Sequence, residues 1–162
     1  MDKSISYCQI CSFKLEHHSL KGQTRLYCVS CKTFSYLDPK VAVVVIIKNK
    51  KTILLVKRDI EPNIGCWSFP SGYVDKYEKT EEAAMREVKE ETHLEIKIEK
   101  LQGVYSGKGP VIIVAYTAIT LNPNIGSPGD EVREIKWFPI YELPKLPFPY
   151  DDEIVSDYLS NL

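Results

Sequence analysis

Three glutamates occupy positions that would bring their carboxylates onto one face of a helix. Glu87, Glu90 and Glu91 stand at i, i+3 and i+4, and an α-helix advances about 100° per residue, so their side chains share a face. Like charges at these spacings destabilise a helix. A solvated acidic surface is one interpretation, but Ala84 and Val88 place the stripe beside the core. Because Mg²⁺ prefers clustered oxygen ligands, we expect a divalent metal site here.

A second set of chemically competent residues lies near the N-terminus. The four cysteines form two Cys-x2-Cys pairs, Cys8 with Cys11 and Cys28 with Cys31, separated by 16 residues. Each pair can direct two thiolates at one tetrahedral Zn²⁺, and the intervening segment can return as a hairpin. Two disulfides are the alternative, but they need an oxidising compartment. The spacing therefore predicts a structural zinc ribbon, with His17 and His18 as solvent-facing loop residues.

The remaining chain must supply the elements that position these groups. Pro39 restricts the backbone conformation of Asp38 and marks a boundary between structural elements. We therefore expect a zinc ribbon over 1–38 and a second domain over 39–162. β-Branched runs predict strands, and alternating apolar patterns predict further strands and helices. Thr80 is the expected N-cap of the helix that carries the glutamates. The expected elements are strands 41–47, 52–57, 95–106, 111–120 and 135–138, helices 83–92 and 151–159, a helical turn at 139–143, and loops at 59–77 and 122–130.

The glutamate helix is part of a longer recognisable pattern. Written out, Gly72-x5-Glu78-x7-Arg86-Glu87-Val88-x-Glu90-Glu91-x-His93-Leu94 resembles the Nudix box, a loop-helix-loop signature of hydrolases that act on nucleoside diphosphates linked to another group. One position differs, because the family has glycine where this chain has His93. That glycine ends the helix, commonly with positive φ, and histidine is among the residues better tolerated there.

The resemblance implies a fold and a set of roles. The implied fold class is α/β, an α/β/α sandwich with a mixed sheet, here preceded by the small zinc ribbon. Mg²⁺ or Mn²⁺ would be bound by Glu87, Glu90 and Glu91 together with the Ser71 carbonyl. Arg86 would orient this cluster, while Glu78 and Gly72 would support the box. Catalysis is accordingly assigned to Glu87, Glu90 and Arg86, and Glu131 or Glu134 is a further candidate for the general base.

Substrate contacts are less sharply indicated. Arg58 follows a predicted strand and can hold a phosphate with two parallel hydrogen bonds, although an ordinary surface cation is an equal alternative. Aromatic side chains near the box can stack on a base, or belong to the core. The candidates are Trp67, Phe69, Tyr73 and Tyr105.

The ribbon points to the branch of the Nudix family whose members act on ADP-ribose, FAD and NADH. NADH enzymes of this branch usually carry Ser-Gln-Pro-Trp-Pro-Phe-Pro after the box, whereas this chain has Leu146-Pro147-Phe148-Pro149. The resemblance therefore implies ADP-ribose or a related dinucleotide first and NADH second. An alternative from another class is a non-catalytic module that binds a nucleotide or RNA and uses the ribbon as a partner interface.

Composition narrows the remaining classes. The 162 residues carry a net charge of −1, which argues against a protein that coats nucleic acid. The longest apolar run, Val41–Ile47, is far shorter than a membrane span of roughly 20 residues. No secretory signal follows Met1. We therefore expect a cytoplasmic protein with a small-molecule nucleotide substrate and no membrane partner, and the resemblance adds the expectation of a homodimer.

Overall fold

The computed structural model describes residues 7–121 and 126–162. The chain divides into two compact units, Met1–Asp38 and Pro39–Leu162. Within the described residues, none of the helices has the length and apolarity needed to cross a membrane.

The N-terminal unit is a small antiparallel sheet. Strand β1 (Glu16–Leu20) pairs with β2 (Gln23–Cys28), which pairs with β3 (Thr33–Ser35). Lys21 and Gly22 both have positive φ and join β1 to β2 as a tight hairpin. The expected hairpin is therefore present, but His17 and His18 are exposed residues of β1, not of a loop. The turn is so short that the strand extends through both histidines.

The C-terminal unit is built on a seven-stranded sheet. Its strand order is β10-β5-β4-β9-β8, with the short strands β6 and β7 paired to β5 and β4. Strands β4 and β9 run parallel, whereas the other pairs are antiparallel, which confirms the predicted mixed sheet. The strands are β4 (Lys40–Asn49), β5 (Thr52–Arg58), β6 (Trp67–Ser68), β7 (Ser71–Tyr73), β8 (Ile96–Tyr105), β9 (Val111–Thr120) and β10 (Val132–Pro139).

Two segments differ from the sequence prediction. The segment 59–77, expected as a loop, contains β6 and β7, because two or three residues there add to the edges of neighbouring strands. The short strand expected at 135–138 is the centre of the longer β10, which pairs with β5 along its whole length. The extent of these strands is set by pairing with residues distant in the chain, and such pairing produces no periodic pattern in the local sequence.

Alternating residues of the central strands form two apolar cores on opposite faces of the sheet. Helix α1 (Thr80–Thr92) covers one face, where Val88 packs with Val43 and Val45. Helix α2 (Asp151–Ser160) covers the other, where Ile154 packs with Val44. This arrangement confirms the predicted α/β/α sandwich.

Both ends of α1 have defined geometry. The helix begins at Thr80 with Lys79 as its N-cap, so the predicted cap is one residue late. The Thr80 hydroxyl bonds instead to the Tyr116 hydroxyl at 2.7 Å, and the Glu82 carboxylate accepts the Lys79 N–H. At the other end His93 adopts φ 54° and donates its N–H to the Lys89 carbonyl. The expected left-handed histidine at the end of the helix is confirmed.

Candidate active site

The three glutamates of α1 meet at a cavity of about 1150 Å³ in the C-terminal unit. Glu87 and Glu91 are largely buried, with Glu91 only 7% exposed, whereas the Glu90 side chain is 60% exposed. Ser71, Gly72 and Arg86 also line this cavity. The fold therefore brings most of the acidic helix face predicted from the sequence to a single concave surface.

Gly72 permits close contact between β7 and the acidic face of α1. A Cβ atom at this position would lie 1.9 Å from Cδ of Glu87, a distance that no real pair of atoms tolerates. The absence of a side chain lets the Glu87 carboxylate pack directly against the β7 backbone. A side chain at this position would therefore displace the Glu87 carboxylate from β7.

Arg86 joins the carboxylates to the preceding loop. Its Nε and Nη2 donate to the two oxygens of Glu78 at 2.8 and 2.9 Å, while Nη1 donates to Glu87 at 2.7 Å and to Glu90 at 3.2 Å. Nη2 also donates to the Tyr73 carbonyl. Such a bidentate pair fixes both partners in geometry. The guanidinium therefore fixes the orientation of the helix face against the loop.

Glu78 itself is held from two sides. Its carboxylate accepts hydrogen bonds from Arg86 and from the Asp75 N–H at 2.9 Å. These donors, Arg86 foremost, lower the pKa of Glu78 from 4.5 to about 2. The Glu78 carboxylate is thus ionised at neutral and mildly acidic pH.

The acidic face lacks a full complement of positive charge. Burial raises the pKa of Glu91 to about 8, and its Oε2 accepts one hydrogen bond, from the Ser71 N–H at 3.1 Å. Burial also raises the pKa of Glu87. Buried carboxylates are costly unless a cation compensates them. A hard divalent cation bound between these side chains would supply the missing positive charge.

The segment before β10 places Glu131 at the same cavity. Ser127 and Gly129 donate their N–H groups to the Thr92 and Glu91 carbonyls at 2.9 Å. A Cβ at Gly129 would lie 1.8 Å from the Glu90 carbonyl oxygen, so the backbone can approach the helix only at a glycine. The segment thereby closes the C-terminal end of α1. Residues 122–125 of the predicted loop lie outside the described residues.

The two candidates for the general base have different surroundings. Glu131 lines the cavity, and its charge contributes to the raised pKa of both Glu87 and Glu91. Glu134 pairs instead with Lys57 at 3.5 Å on β5 and is outside the described cavity lining. The structure therefore brings Glu131, and not Glu134, to the carboxylates.

Arg58 also reaches the cavity. It ends β5, its Nε donates to the Pro62 carbonyl at 2.8 Å, and its guanidinium lies over the Phe148 ring, 5.2 Å from the centroid. The positive charge opposes the rise in the Glu91 pKa. Arg58 is therefore a cation close to the acidic face. Among the described contacts, its guanidinium donates no hydrogen bond to the glutamates of that face.

Most of the aromatic candidates belong to the core. Phe69 is 2% exposed, and Trp67 packs edge-on against Phe138 at 4.9 Å. Tyr105 is buried and donates its hydroxyl to Asp157. Among the described residues, none of these three lines the cavity, whereas Tyr73 does. Phe69 belongs to the core beneath α2 and Trp67 packs against it, whereas base stacking by either residue stays a prediction.

Two residues that line the cavity were not expected there from the sequence. Phe148 lies under Arg58, and Asp151 is a nearly buried acid at the first turn of α2. The only available signal was the paired acids Asp151 and Asp152, which also fit an ordinary helix start. Their different exposure appears only when the helix packs.

The four cysteines of the N-terminal unit form a separate cluster. Their Sγ atoms all lie within 4.8 Å of one another, with Cys11 and Cys28 at 3.5 Å and Cys8 and Cys31 at 4.0 Å. Tetrahedral Zn–S bonds of about 2.3 Å place sulfurs about 3.8 Å apart. A hydrogen bond from the Phe13 backbone and the neighbouring thiols lower the pKa of Cys11 to about 7. Hydrogen bonding with Cys11 raises the pKa of Cys31 to about 12. The geometry of the four sulfurs fits a Cys₄ zinc site.

Replacement of Glu78 by Gln tests the clamp through stability. Because the folded pKa of Glu78 is about 2 and its ordinary value is 4.5, its ionised form stabilises the fold above about pH 4.5, and this contribution is lost as the pH falls through about 2. We expect Glu78→Gln to lower Tm by a few degrees at pH 7, and the deficit to disappear near pH 2. Thermal unfolding followed by circular dichroism across this range measures it.

Glu82→Gln is the matched control. Glu82 also accepts a backbone N–H from three residues earlier, but it has no contact with Arg86. Its effect on Tm should be smaller at pH 7. Equal deficits for the two variants would show that the Arg86 pair contributes nothing to the fold.

Comparison with known proteins matches residues 38–158 to the NUDIX domain. The ADP-ribose pyrophosphatase of Methanocaldococcus jannaschii is 40% identical over 129 residues, which cover 76% of this chain and 75% of that protein. The NAD-capped RNA hydrolase NudC of Pseudomonas fluorescens is 27% identical over 87% of this chain, which spans only 50% of that relative. The crystal structure of a NUDIX hydrolase from Nitrosomonas europaea superposes with a TM-score of 0.87 at 28% identity, covering 97% of this chain and 92% of that one.

Proposed function

Since the chain belongs to the NUDIX family and is a Nudix pyrophosphohydrolase, we propose that it cleaves ADP-ribose or a related dinucleotide, such as FAD or NADH, in an Mg²⁺-dependent reaction. One observation carries the proposal: partly uncompensated carboxylates on α1 face a cavity that also holds Arg58. The M. jannaschii relative, named an ADP-ribose pyrophosphatase, supports the choice of first substrate.

The ligands for a divalent cation are proposed from the acidic face. Glu87, Glu90 and Glu91, with the Ser71 carbonyl, would hold Mg²⁺ or Mn²⁺. When bound, such a cation supplies positive charge for the phosphate oxygens and acidifies a water molecule. Arg86 keeps the carboxylates in register through its bonds to Glu78 and Glu87.

The chain's own residues divide the remaining work. Arg58 binds a phosphate of the substrate through its guanidinium. Glu131 accepts the proton of the attacking water, whose oxygen bonds to one phosphorus while the bridging P–O bond breaks. Cleavage of ADP-ribose in this way yields AMP and ribose 5-phosphate. Glu131 suits the role because it faces the carboxylates and is not tied to Lys57 as Glu134 is.

The alternative is a module that binds nucleotides without hydrolysing them. Such a module gains nothing from three carboxylates that repel one another on one helix face. The complete set, held by Arg86 and packed on Gly72, therefore favours the enzyme.

The zinc ribbon stays a candidate for the interface of a homodimer. Light scattering on the protein as it elutes from a size-exclusion column would test whether the protein is a dimer.

A substrate panel tests the proposed function. The purified protein is incubated with ADP-ribose, NADH, FAD and nucleoside triphosphates in Mg²⁺, and products are separated by chromatography. We expect the highest kcat/KM for ADP-ribose or FAD and a lower value for NADH. Hydrolysis of triphosphates alone would overturn the substrate class, and inactivity across the panel would favour the binding module.

A further inference from the structure

The end of the cavity away from α1 has a different character. Its walls are the apolar side chains of Ile113 on β9, Ile154 on α2 and Phe148 in the connection before α2. The first two belong to, or pack against, the core beneath α2. A flat apolar group would therefore find apolar contacts here, unlike at the acidic face.

Two charged side chains, Lys108 and Asp151, line the cavity at this apolar end. Lys108 is paired with Glu153 at 2.7 Å. Asp151, the first residue of α2, lines the cavity and is only 3% exposed. Its Oδ2 accepts the Phe148 N–H at 2.8 Å, while Oδ1 accepts no hydrogen bond from the residues that the structure describes. This oxygen is not among the described side-chain atoms that are both fully buried and unpaired, so it is accessible from the cavity that Asp151 lines. A ligand in the cavity can therefore donate a hydrogen bond to it.

Phe148 contacts both the Asp151 carboxylate and the Arg58 guanidinium. Its ring lies under the Arg58 guanidinium, and its backbone N–H holds Asp151. The charge of Arg58 in turn acts on Glu91. A substrate whose phosphates contact Arg58 would thus extend past Phe148, and its nucleoside would reach the apolar end that contains Asp151.

We propose that Asp151 is a specificity-determining residue that accepts a hydrogen bond from the exocyclic amine of an adenine base. The inference rests on the proposed nucleotide substrate and adds the residue that recognises its adenine base. An ionised carboxylate can only accept, so it pairs with the amino group of adenine but faces the carbonyl oxygen of hypoxanthine without a donor. Sites built around such a pairing discriminate strongly, because the wrong ligand leaves a buried group unpaired.

A purely structural role for Asp151 is the competing explanation. Asp151→Asn separates the two, because the amide keeps an oxygen acceptor for the Phe148 N–H but adds a donor. The matched control is Asp152→Asn, which removes the same charge from the same turn at an exposed position. If Asp151 only held Phe148, both variants would keep the ligand preference of the wild type.

The test is calorimetric binding of AMP and IMP at pH 8 to the zinc-loaded protein, in buffer without Mg²⁺ or Mn²⁺. This pH lies above the value of about 6 to which burial raises the pKa of Asp151. We expect wild type and Asp152→Asn to bind AMP at least about tenfold more tightly than IMP. Asp151→Asn should abolish or reverse the preference, since its amide donates to the hypoxanthine carbonyl.

Three outcomes would overturn the assignment. One is equal affinity of folded wild-type protein for AMP and IMP, which needs no variant, and another is an unchanged preference in Asp151→Asn with a wild-type thermal transition. The third is binding of neither nucleotide. Because no turnover is measured, a preference for AMP in a protein that hydrolyses nothing on the substrate panel would remove the proposed function and leave this inference standing.

Discussion

We expect Glu90→Gln to lower kcat for the proposed ADP-ribose hydrolysis by about 10³-fold at saturating Mg²⁺. The substitution keeps the size of the side chain but removes one of the three charges proposed to hold the cation, and losses of this order accompany removal of a central acid–base or metal-activating group. Glu90 is the most exposed of the three carboxylates, so the fold should tolerate the change. Release of AMP measures the rate, and circular dichroism measures folding.

Glu81→Gln provides the control for Glu90→Gln. Glu81 is an exposed acid on the same helix, outside the described cavity lining. Its removal alters the helix charge by the same amount and should leave kcat within about twofold. A folded Glu90→Gln variant with wild-type turnover would contradict the assigned metal ligands.

The second large effect is expected in the N-terminal unit. Cys28→Ser should abolish zinc binding and unfold the unit, because among its described residues, 7–38, the buried core is little more than Cys8, Leu15 and Cys28. Zinc contributes roughly 10 kcal/mol to folding in domains of this kind. Elemental analysis should give about one zinc per wild-type chain and almost none in the variant. Limited proteolysis should then cut within 1–38.

Cys66→Ser is the control for the zinc site. Cys66 is the fifth cysteine and lies in the C-terminal unit, outside the cluster of four. This variant should retain its zinc and its resistance to proteolysis. Freshly purified wild-type protein with less than about half an equivalent of zinc would contradict the zinc ribbon.

Local patterns predicted the parts of the molecule that local chemistry dictates. The i, i+3, i+4 spacing predicted that Glu87, Glu90 and Glu91 would share a face, since helix geometry alone decides it. The pairing of Cys8, Cys11, Cys28 and Cys31 likewise predicted the cluster that the structure shows. The positive φ of His93 followed from its place at the end of a helix.

What could not be predicted depends on packing between distant segments. Strands β6 and β7 are too short to show periodicity and exist because β5 and β4 offer them hydrogen bonds. Phe69 and Trp67 have the right chemistry for a base contact, but the sheet turns them inward. Asp151 and Asp152 are adjacent residues of the same type, so the sequence does not distinguish them. Packing of α2 on the sheet buries Asp151 and leaves Asp152 exposed.

The central claim is that this acidic face binds a divalent cation and hydrolyses a nucleotide pyrophosphate. A titration of Mg²⁺ into zinc-loaded wild-type protein with ADP-ribose, in buffer freed of Mg²⁺ and Mn²⁺, tests it most directly through release of AMP and ribose 5-phosphate. We predict no product without added Mg²⁺ or Mn²⁺, a saturable rise in rate with Mg²⁺, and equimolar amounts of the two products. Product formation that is independent of Mg²⁺ and Mn²⁺, or none at any concentration of either, would contradict the claim.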